Sequence, residues 1–348
     1  MASIVGVDVG ATGVRAIEVS TSGKSLVVRK AGVVPLPHGT VVAGAVTDPV
    51  QVTAALKALW RKHRFSTRNV ALVVGGHQSV LARPAQVHYL PNPAHFRRMV
   101  LSEAKDVLPI SMEALYVDFH TMAVRTDPTE DNPTRQMADV MIIGVERTIV
   151  DALVRPVEQA GLYVTSIDIA PFALTRLVAA AQSGPGKLDL IVHFGAETVL
   201  MVGTVDGQTK LIRPMNEYNG KNITLQMQDA FDLALDEAER VKIDTSPDVE
   251  MGVDSDAVTI ISTWVAAIVR EIRSTATQAT QGLGVPIGRI WLSGGGARLG
   301  GLARRLAAET DVQVSVLDPR AWTTKPERLK AAYATGQDLA LALAAGGK

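Results

Sequence analysis

The sequence of 348 residues contains no cysteine and no excess of charge of either sign. Without cysteine the protein forms no disulfide and uses no thiol chemistry, which fits a reducing cytoplasm. Lysine plus arginine and aspartate plus glutamate both number 35, so the composition indicates no nucleic-acid partner and no polybasic membrane contact. The longest apolar stretch, residues 259–269, is short of the ~20 residues of a spanning helix, and the first residues lack a signal pattern. These absences predict a soluble cytoplasmic protein with no direct membrane insertion.

The chain begins with IVGVDVGATGVRAIEV, residues 4–19, in which Asp8 stands inside an apolar strand. An ionised carboxylate without a partner in a protein interior costs several kcal/mol, so a cation or polar ligand is expected beside it. The glycines of the following turn allow backbone N–H groups to point at an anion. The alternative is an ordinary hairpin whose turn Asp8 caps.

Apolar runs and glycine-containing turns divide the chain into two related halves. Strands are predicted at 3–9, 14–20 and 25–34, followed by a helix that Asp48 and Pro49 open. After the break at 182–187, the segment 190–207 repeats the pattern of strand, glycine turn and strand, with His193 in the position of Asp8.

The stretch from about 79 to 165 has a different sequence pattern from the two repeats. It contains a predicted helix at 93–108 and predicted strands at 115–125 and 136–145. We interpret it as an insertion into the first half.

Three glycine turns follow apolar strands: DVGATG (8–13), HFGAET (193–198) and SGGGARLGG (293–301). The first two turns would clamp a polyphosphate with their backbone N–H groups and with the hydroxyls of Thr12 and Thr198. Arg15 would add a charge-assisted contact, and Asp8 would hold a Mg²⁺-bound water. The third turn would form the floor for a base or an α-phosphate at a helix N-terminus. Alternatively, its glycines only allow the strand and the helix to pack closely.

This set of motifs resembles the actin-like ATPase superfamily, which includes actin, Hsp70 and sugar kinases. Within the superfamily the chain resembles the bacterial PilM/FtsA branch, and PilM-like type IV pilus assembly proteins above all. The resemblance rests on IVGVDVGATGVRAIEV (4–19), LYVTSIDIAPFAL (162–174), AERVK (238–242) and IWLSGGGARLGGLARRL with VSVLDP after it.

The resemblance implies an α/β fold of two lobes, the duplicated ribonuclease H-like arrangement, with an inserted 1C subdomain at about 79–165. Residues 1–184 would form the first lobe. Residues 185–348 would form the second, with a helical subdomain at about 216–285.

The resemblance also implies a site for ATP and Mg²⁺, with Asp8 as the magnesium-side carboxylate, acting through water. Glu239 and Lys242 match a pair that contacts ribose and base in FtsA-like proteins; without the surrounding pattern they would be read as an ordinary i,i+3 surface ion pair. The implied binding residues are Gly10, Ala11, Thr12, Gly13, Arg15, Gly195, Ala196, Glu197, Thr198, Glu239, Lys242, Gly294, Gly295 and Gly296.

His193 departs from the pattern, because the second phosphate loop of this superfamily usually begins with aspartate. A neutral imidazole is a poor ligand for Mg²⁺. His193 would either hydrogen-bond a phosphate oxygen or be buried and satisfied within the protein. Hydrolysis is expected to be slow at most, with Asp8 and, across the cleft, Asp168 as the candidate catalytic carboxylates.

We therefore expect a cytoplasmic ATP-binding scaffold of a type IV pilus, or of a related type II secretion machine. Its partners would be the N-terminal cytoplasmic peptide of a PilN-like bitopic inner-membrane protein and other pilus-assembly components. That partner would recruit the protein to the inner face of the membrane. Two alternatives stay open: a small-molecule kinase of the same superfamily, with Asp168 as base, and a filament-forming protein similar to FtsA or MreB.

Overall fold

Strands and helices alternate along the chain in the computed structural model, which describes residues 3–22, 25–74, 80–129, 131, 133–179, 183–246, 255–322 and 338–346. Its strands are β1 (Ser3–Gly10), β2 (Gly13–Ser22), β3 (Ser25–Pro35), β4 (Val41–Val42), β5 (Ala45–Val46), β6 (Asn69–Val74), β7 (Val80–His88), β8 (Leu115–Thr126), β9 (Gln136–Glu146), β10 (Tyr163–Ile169), β11 (Leu188–Phe194), β12 (Val199–Val205), β13 (Gln208–Pro214), β14 (Ile287–Ser293) and β15 (Gln313–Val316). Its α-helices are α1 (Pro49–His63), α2 (Pro93–Val107), α3 (Arg147–Gln159), α4 (Ala170–Val178), α5 (Gly220–Phe231), α6 (Leu235–Thr245), α7 (Asp256–Leu283), α8 (Leu302–Thr310) and α9 (Asp338–Gly346).

The first sheet has the strand order β10-β6-β1-β2-β3. β1, β2 and β3 form an antiparallel meander, whereas β6 runs parallel to both β1 and β10. Helix α1 packs on β2 and β3 and begins where the sequence predicts, because the Asp48 side chain accepts hydrogen bonds from the N–H groups of Val50 and Gln51. The three predicted strands and the predicted helix start are confirmed.

The second sheet has the order β13-β12-β11-β14-β15 and repeats the topology of the first. β11, β12 and β13 form an antiparallel meander, and β14 and β15 run parallel to β11. His193 lies opposite Leu200 just before its turn, as Asp8 lies opposite Arg15. The repeat predicted from the sequence is therefore a repeat of structure.

Two helices, α4 and α9, lie between the sheets. One hydrophobic cluster contains residues of both sheets together with both helices. Helix α9 packs on β1, β2 and β6 of the first sheet, although it follows the second sheet in the chain. The approach is close: a Cβ on Gly6 would stand 1.9 Å from the carbonyl oxygen of Ala340, so only glycine fits. The division of the chain at 184 stays a prediction.

The inserted stretch forms a third sheet with the order β7-β9-β8, and α2 packs against β7 and β8. The predicted helix and both predicted strands are confirmed. Strand β7 was not predicted, because Arg83 and Pro84 interrupt its apolar pattern. Proline is tolerated there since β7 is an edge strand. β9 is the central strand, so of the two predicted strands β8 alone has a free edge.

Among the residues that the structure describes, no helix is both long enough and apolar enough to span a membrane. Residues 247–254, which precede α7 in the sequence, lie outside the described residues.

Candidate functional site

The first glycine turn joins β1 to β2 and is held from within by Arg15. Its guanidinium donates to the Thr12 hydroxyl at 2.9 Å and to the Gly13 carbonyl at 3.2 Å. The same group lies 3.9 Å from the Asp8 carboxylate. The structure therefore brings the predicted carboxylate, arginine and turn together, with the arginine orientated before any ligand arrives.

The second glycine turn, between β11 and β12, is held by the N-terminus of α5. The N–H groups of Gly220 and Lys221 donate to the carbonyls of Gly195 and Ala196 at 3.2 and 2.8 Å. The turn closes on itself through a 2.8 Å hydrogen bond from the Gly195 N–H to the Thr198 carbonyl. These bonds fix the carbonyls of Gly195 and Ala196 and occupy the Gly195 N–H. The predicted phosphate contacts of this turn then fall to its other N–H groups.

Glu197 points its side chain at protein groups. Its two carboxylate oxygens accept 2.7 Å hydrogen bonds, one from the Ala43 N–H and one from the Lys221 ammonium. Ala43 and Gly44 form the tip of the β4–β5 hairpin, both with positive φ (49° and 84°). Glu197 therefore joins the second turn to a hairpin of the other half. Its carboxylate would repel a phosphate, so a nucleotide contact of Glu197 would come from its backbone.

The third glycine turn follows β14 and lies against the second. Gly294 has φ of 83°, and a Cβ there would stand 2.3 Å from the Phe194 carbonyl oxygen, so this position requires glycine. At Gly295 no atom of the described residues lies within 4 Å of the position of a Cβ, so this part of the turn faces open space among them. A short 3₁₀ segment, Gly295–Arg298, lies within this turn, and α8 begins after it at Leu302.

Asp8, His193 and Asp338 meet where the three turns converge. The His193 Nδ1 lies 2.8 Å from the Ser293 hydroxyl and 3.9 Å from the Asp338 carboxylate. The imidazole is only 12 % exposed, which supports the prediction of a buried, satisfied histidine. Burial raises the pKa of Asp8, the charges of Arg15 and His193 oppose that shift, and the charge of Asp338 adds to it.

Asp338 is the functional candidate that the sequence did not indicate. It is the first residue of α9 and is 1 % exposed. One of its carboxylate oxygens accepts hydrogen bonds from the Ser293 hydroxyl and from the Gly294 N–H, the latter at 2.9 Å. The other oxygen is buried and has no hydrogen-bond partner among the described residues. In the sequence, Asp338 is a single acidic residue before an apolar run, and this pattern is equally typical of an ordinary helix N-terminus.

Glu239 and Lys242 connect α6 to α5, the helix whose N-terminus holds the second turn. The Lys242 ammonium is buried and donates to Glu239 at 2.6 Å, to the Thr224 hydroxyl at 2.9 Å and to the Gly220 carbonyl at 3.1 Å. A solvated surface pair is therefore the wrong interpretation. Their contact with a nucleotide stays a prediction.

Asp168 is not brought to Asp8. Its strand, β10, lies two strands from β1, which corresponds to about 10 Å. Its carboxylate pairs with Arg176 and accepts the Ile169 N–H, beside a separate cavity of about 140 Å³. The structure thus gives no support to Asp168 as a catalytic partner of Asp8.

A Mg²⁺ ion fits this donor set as a largely hydrated ion. No group of three or more His, Asp or Glu able to hold a metal occurs in the described part of the chain. Mg²⁺ usually keeps several waters and takes one or two carboxylates, which Asp8 would supply.

The chain matches the family model "Type IV pilus assembly protein PilM" over residues 6–347. Among solved structures, the PilM-PilN type IV pilus biogenesis complex is similar, with 23% identity, 99% of this chain and 98% of that chain covered, and a TM-score of 0.83. The ethanolamine utilization protein EutJ from Carboxydothermus hydrogenoformans has 14% identity, 99% and 90% coverage and a TM-score of 0.57. MreB 5 of Spiroplasma citri, bound to AMPPNP, has 12% identity, 90% and 91% coverage and a TM-score of 0.50. These likenesses confirm the predicted two-lobed actin-like fold.

Proposed function

Since this chain belongs to the type IV pilus assembly protein PilM family, we propose that it is the nucleotide-binding scaffold of a type IV pilus assembly machine. The proposed nucleotide binding rests on one observation, the convergence of three glycine turns around Asp8 and Arg15. The fold supports it, because the similar MreB 5 structure contains AMPPNP.

The residues present fit ATP with Mg²⁺. The first and second turns would hold the phosphates, with Asp8 meeting the ion through water. The open space at Gly295 leaves room for the adenosine side at the third turn. The same turn contacts the end of the helix that carries Lys242, because the Gly300 N–H donates to the Ser246 hydroxyl. When bound, Mg²⁺ neutralises phosphate charge, and the turns supply fixed N–H donors.

Calorimetry on nucleotide-free protein tests this assignment. Mg²⁺–ATP should bind to the wild type, and Gly295→Asp should abolish binding by placing a carboxylate in the open space of the third turn. Gly282→Asp is the matched control, because this glycine also has no neighbour near its Cβ position but lies near the far end of α7. Absence of wild-type binding at millimolar ATP contradicts the proposal.

Hydrolysis is proposed to be slow. His193 stands where a metal-orientating carboxylate is usual, and it is bonded to Ser293. Asp168, the base that a small-molecule kinase would need, is paired with Arg176. A turnover of about 1 per second or more would contradict this account.

The proposed partner is the N-terminal cytoplasmic peptide of a PilN-like inner-membrane protein, which would recruit the scaffold to the inner face of the membrane. The similar solved structure is a PilM-PilN complex. The third sheet offers the free edge of β8, where Tyr116 and Val124 are each 43% exposed, and peptides commonly add to such an edge.

Point variants test the peptide site better than deletion of residues 79–165. That deletion would remove α3 and Val145, which belong to the hydrophobic core of the first half. Val124→Glu should weaken binding of a labelled peptide from the host's PilN-like protein, measured by fluorescence anisotropy. Val50→Glu changes a valine outside the stretch that is even more exposed, at 73%, and this variant should bind normally. Unchanged binding by Val124→Glu places the peptide elsewhere.

A further inference from the structure

The Asp338 contact links elements that belong to different sheets. Its backbone is part of α9, which packs on β1, β2 and β6 of the first sheet. Its carboxylate accepts from Ser293 and Gly294, which end β14 of the second sheet. Hydrogen bonds to an ionised acceptor are about twice as strong as neutral ones, so this contact is a strong link between the two halves.

The turn that Asp338 holds has little freedom to move independently. Gly294 is in the left-handed region and in close contact with the Phe194 carbonyl. A displacement of α9 relative to the second sheet must therefore either break the carboxylate contact or carry the third turn with it.

A comparison with another buried aspartate separates this contact from an ordinary structural one. Asp189 is 2% exposed and also binds a serine, but both of its oxygens have partners, the Ser183 N–H and hydroxyl. That contact lies at the opposite end of β11 from His193. Asp338 keeps one buried oxygen without a partner among the described residues, which stability alone does not favour.

We propose that Asp338 is the positioning residue of the third glycine turn, and that its contact with Ser293 and Gly294 sets the separation of the two lobes at the cleft. The effect on nucleotide affinity rests on the proposed function. The effect on lobe separation does not.

Spin labels measure the separation directly, because the chain has no cysteine and labels attach only where cysteine is introduced. Lys57→Cys on α1 and Arg304→Cys on α8 place one label on an exposed site of each half. In this background, Asp338→Ala and the milder Ser293→Ala should lengthen or broaden the distance distribution without nucleotide. Asp189→Ala loses comparable hydrogen bonds and should leave the distribution unchanged.

Affinity for Mg²⁺–ATP, measured on the same proteins without labels, gives the second readout. We expect about ten-fold weaker binding for Asp338→Ala, a smaller loss for Ser293→Ala, and wild-type affinity for Asp189→Ala. Asp338→Asn keeps an acceptor for both donors and should lie between Asp338→Ala and the wild type.

The two readouts fail separately. Unchanged distances in both Asp338→Ala and Ser293→Ala, or an equal change in Asp189→Ala, overturn the positioning role. If the wild type binds no ATP, the proposed function fails, and the distances still decide the role of Asp338. If Asp338→Ala does not fold, Ser293→Ala decides it.

Discussion

Replacement of His193 by aspartate would restore the carboxylate usual at this position of the fold, and the structure predicts what it costs. The imidazole Nδ1 lies 3.9 Å from the Asp338 carboxylate, which is almost fully buried. His193→Asp therefore places a new carboxylate beside that of Asp338 and near that of Asp8. We expect the nucleotide-free variant to be markedly less stable than the wild type.

The size of the effect follows from Coulomb's law. Carboxylates about 4 to 6 Å apart repel each other by about 3 to 4 kcal/mol at an effective dielectric constant of about 20. The lost hydrogen bond to Ser293 adds about 1 kcal/mol. Because small domains have about 5–15 kcal/mol of stability in total, the variant should still fold, with a deficit that is easy to measure.

Urea denaturation of His193→Asp and His193→Asn isolates the charge. Both variants lose the imidazole, and only the aspartate adds a carboxylate. Like-charge neighbours raise the pKa of that carboxyl in the folded protein, so its stability deficit grows as pH rises and shrinks as pH falls. The difference between the variants should be about 3 kcal/mol near pH 7 and much smaller near pH 4. Mg²⁺–ATP should reduce it, and turnover should rise above that of the wild type.

Equal stability of the two variants at neutral pH would refute this reasoning. It would mean that the charges of Asp8 and Asp338 do not act on position 193. A difference that does not change with pH would point to packing as the cause.

Three further predictions concern single contacts. Burial raises the pKa of Asp8, so the folded protein binds a proton at this carboxyl more tightly than the unfolded chain does. The free energy of unfolding therefore falls as pH rises through the raised pKa. Without nucleotide, Asp8→Asn should therefore be more stable than the wild type near pH 7, and this gain in stability should vanish at acidic pH. The variant should bind Mg²⁺–ATP more weakly. A gain in stability that does not depend on pH would argue against this reasoning. Glu197→Ala should speed hydrogen exchange of the Ala43 N–H, whereas Glu197→Gln keeps an acceptor and should change it less. Gly6→Ala should cost about 1–3 kcal/mol or more in urea denaturation because of the Ala340 carbonyl, whereas Gly282→Ala in α7 should be neutral or stabilising by up to about 1 kcal/mol.

The sequence was sufficient to predict the repeated unit and the turns. Apolar runs of strand length with glycine between them determine both hairpins locally, and Asp8 stands out because a carboxylate is rare in such a run. Local signals also sufficed to predict the start of α1, because Asp48 is its N-cap and Pro49 is its first residue. Each of these predictions depends on residues close together in the chain.

Contacts between distant segments were not predictable in the same way. Asp338 reaches Ser293 only because α9 packs on the other sheet. The sequence predicts Glu197 as a member of a phosphate loop, and nothing near it in sequence indicates that its carboxylate accepts a hydrogen bond from the Ala43 N–H. Strand β7 was missed since its proline is acceptable only at the edge that the third sheet provides.

The position of α9 between the sheets has a consequence for synthesis of the protein. Helix α9 is made after every other described element, yet it covers β1, which is made before all the other described strands. The first sheet therefore keeps an apolar face uncovered until the elements between β3 and α9 have been made, and contacts this distant in sequence form slowly. A circular permutant that carries α9 ahead of β1 should shorten that wait and refold faster than the natural order.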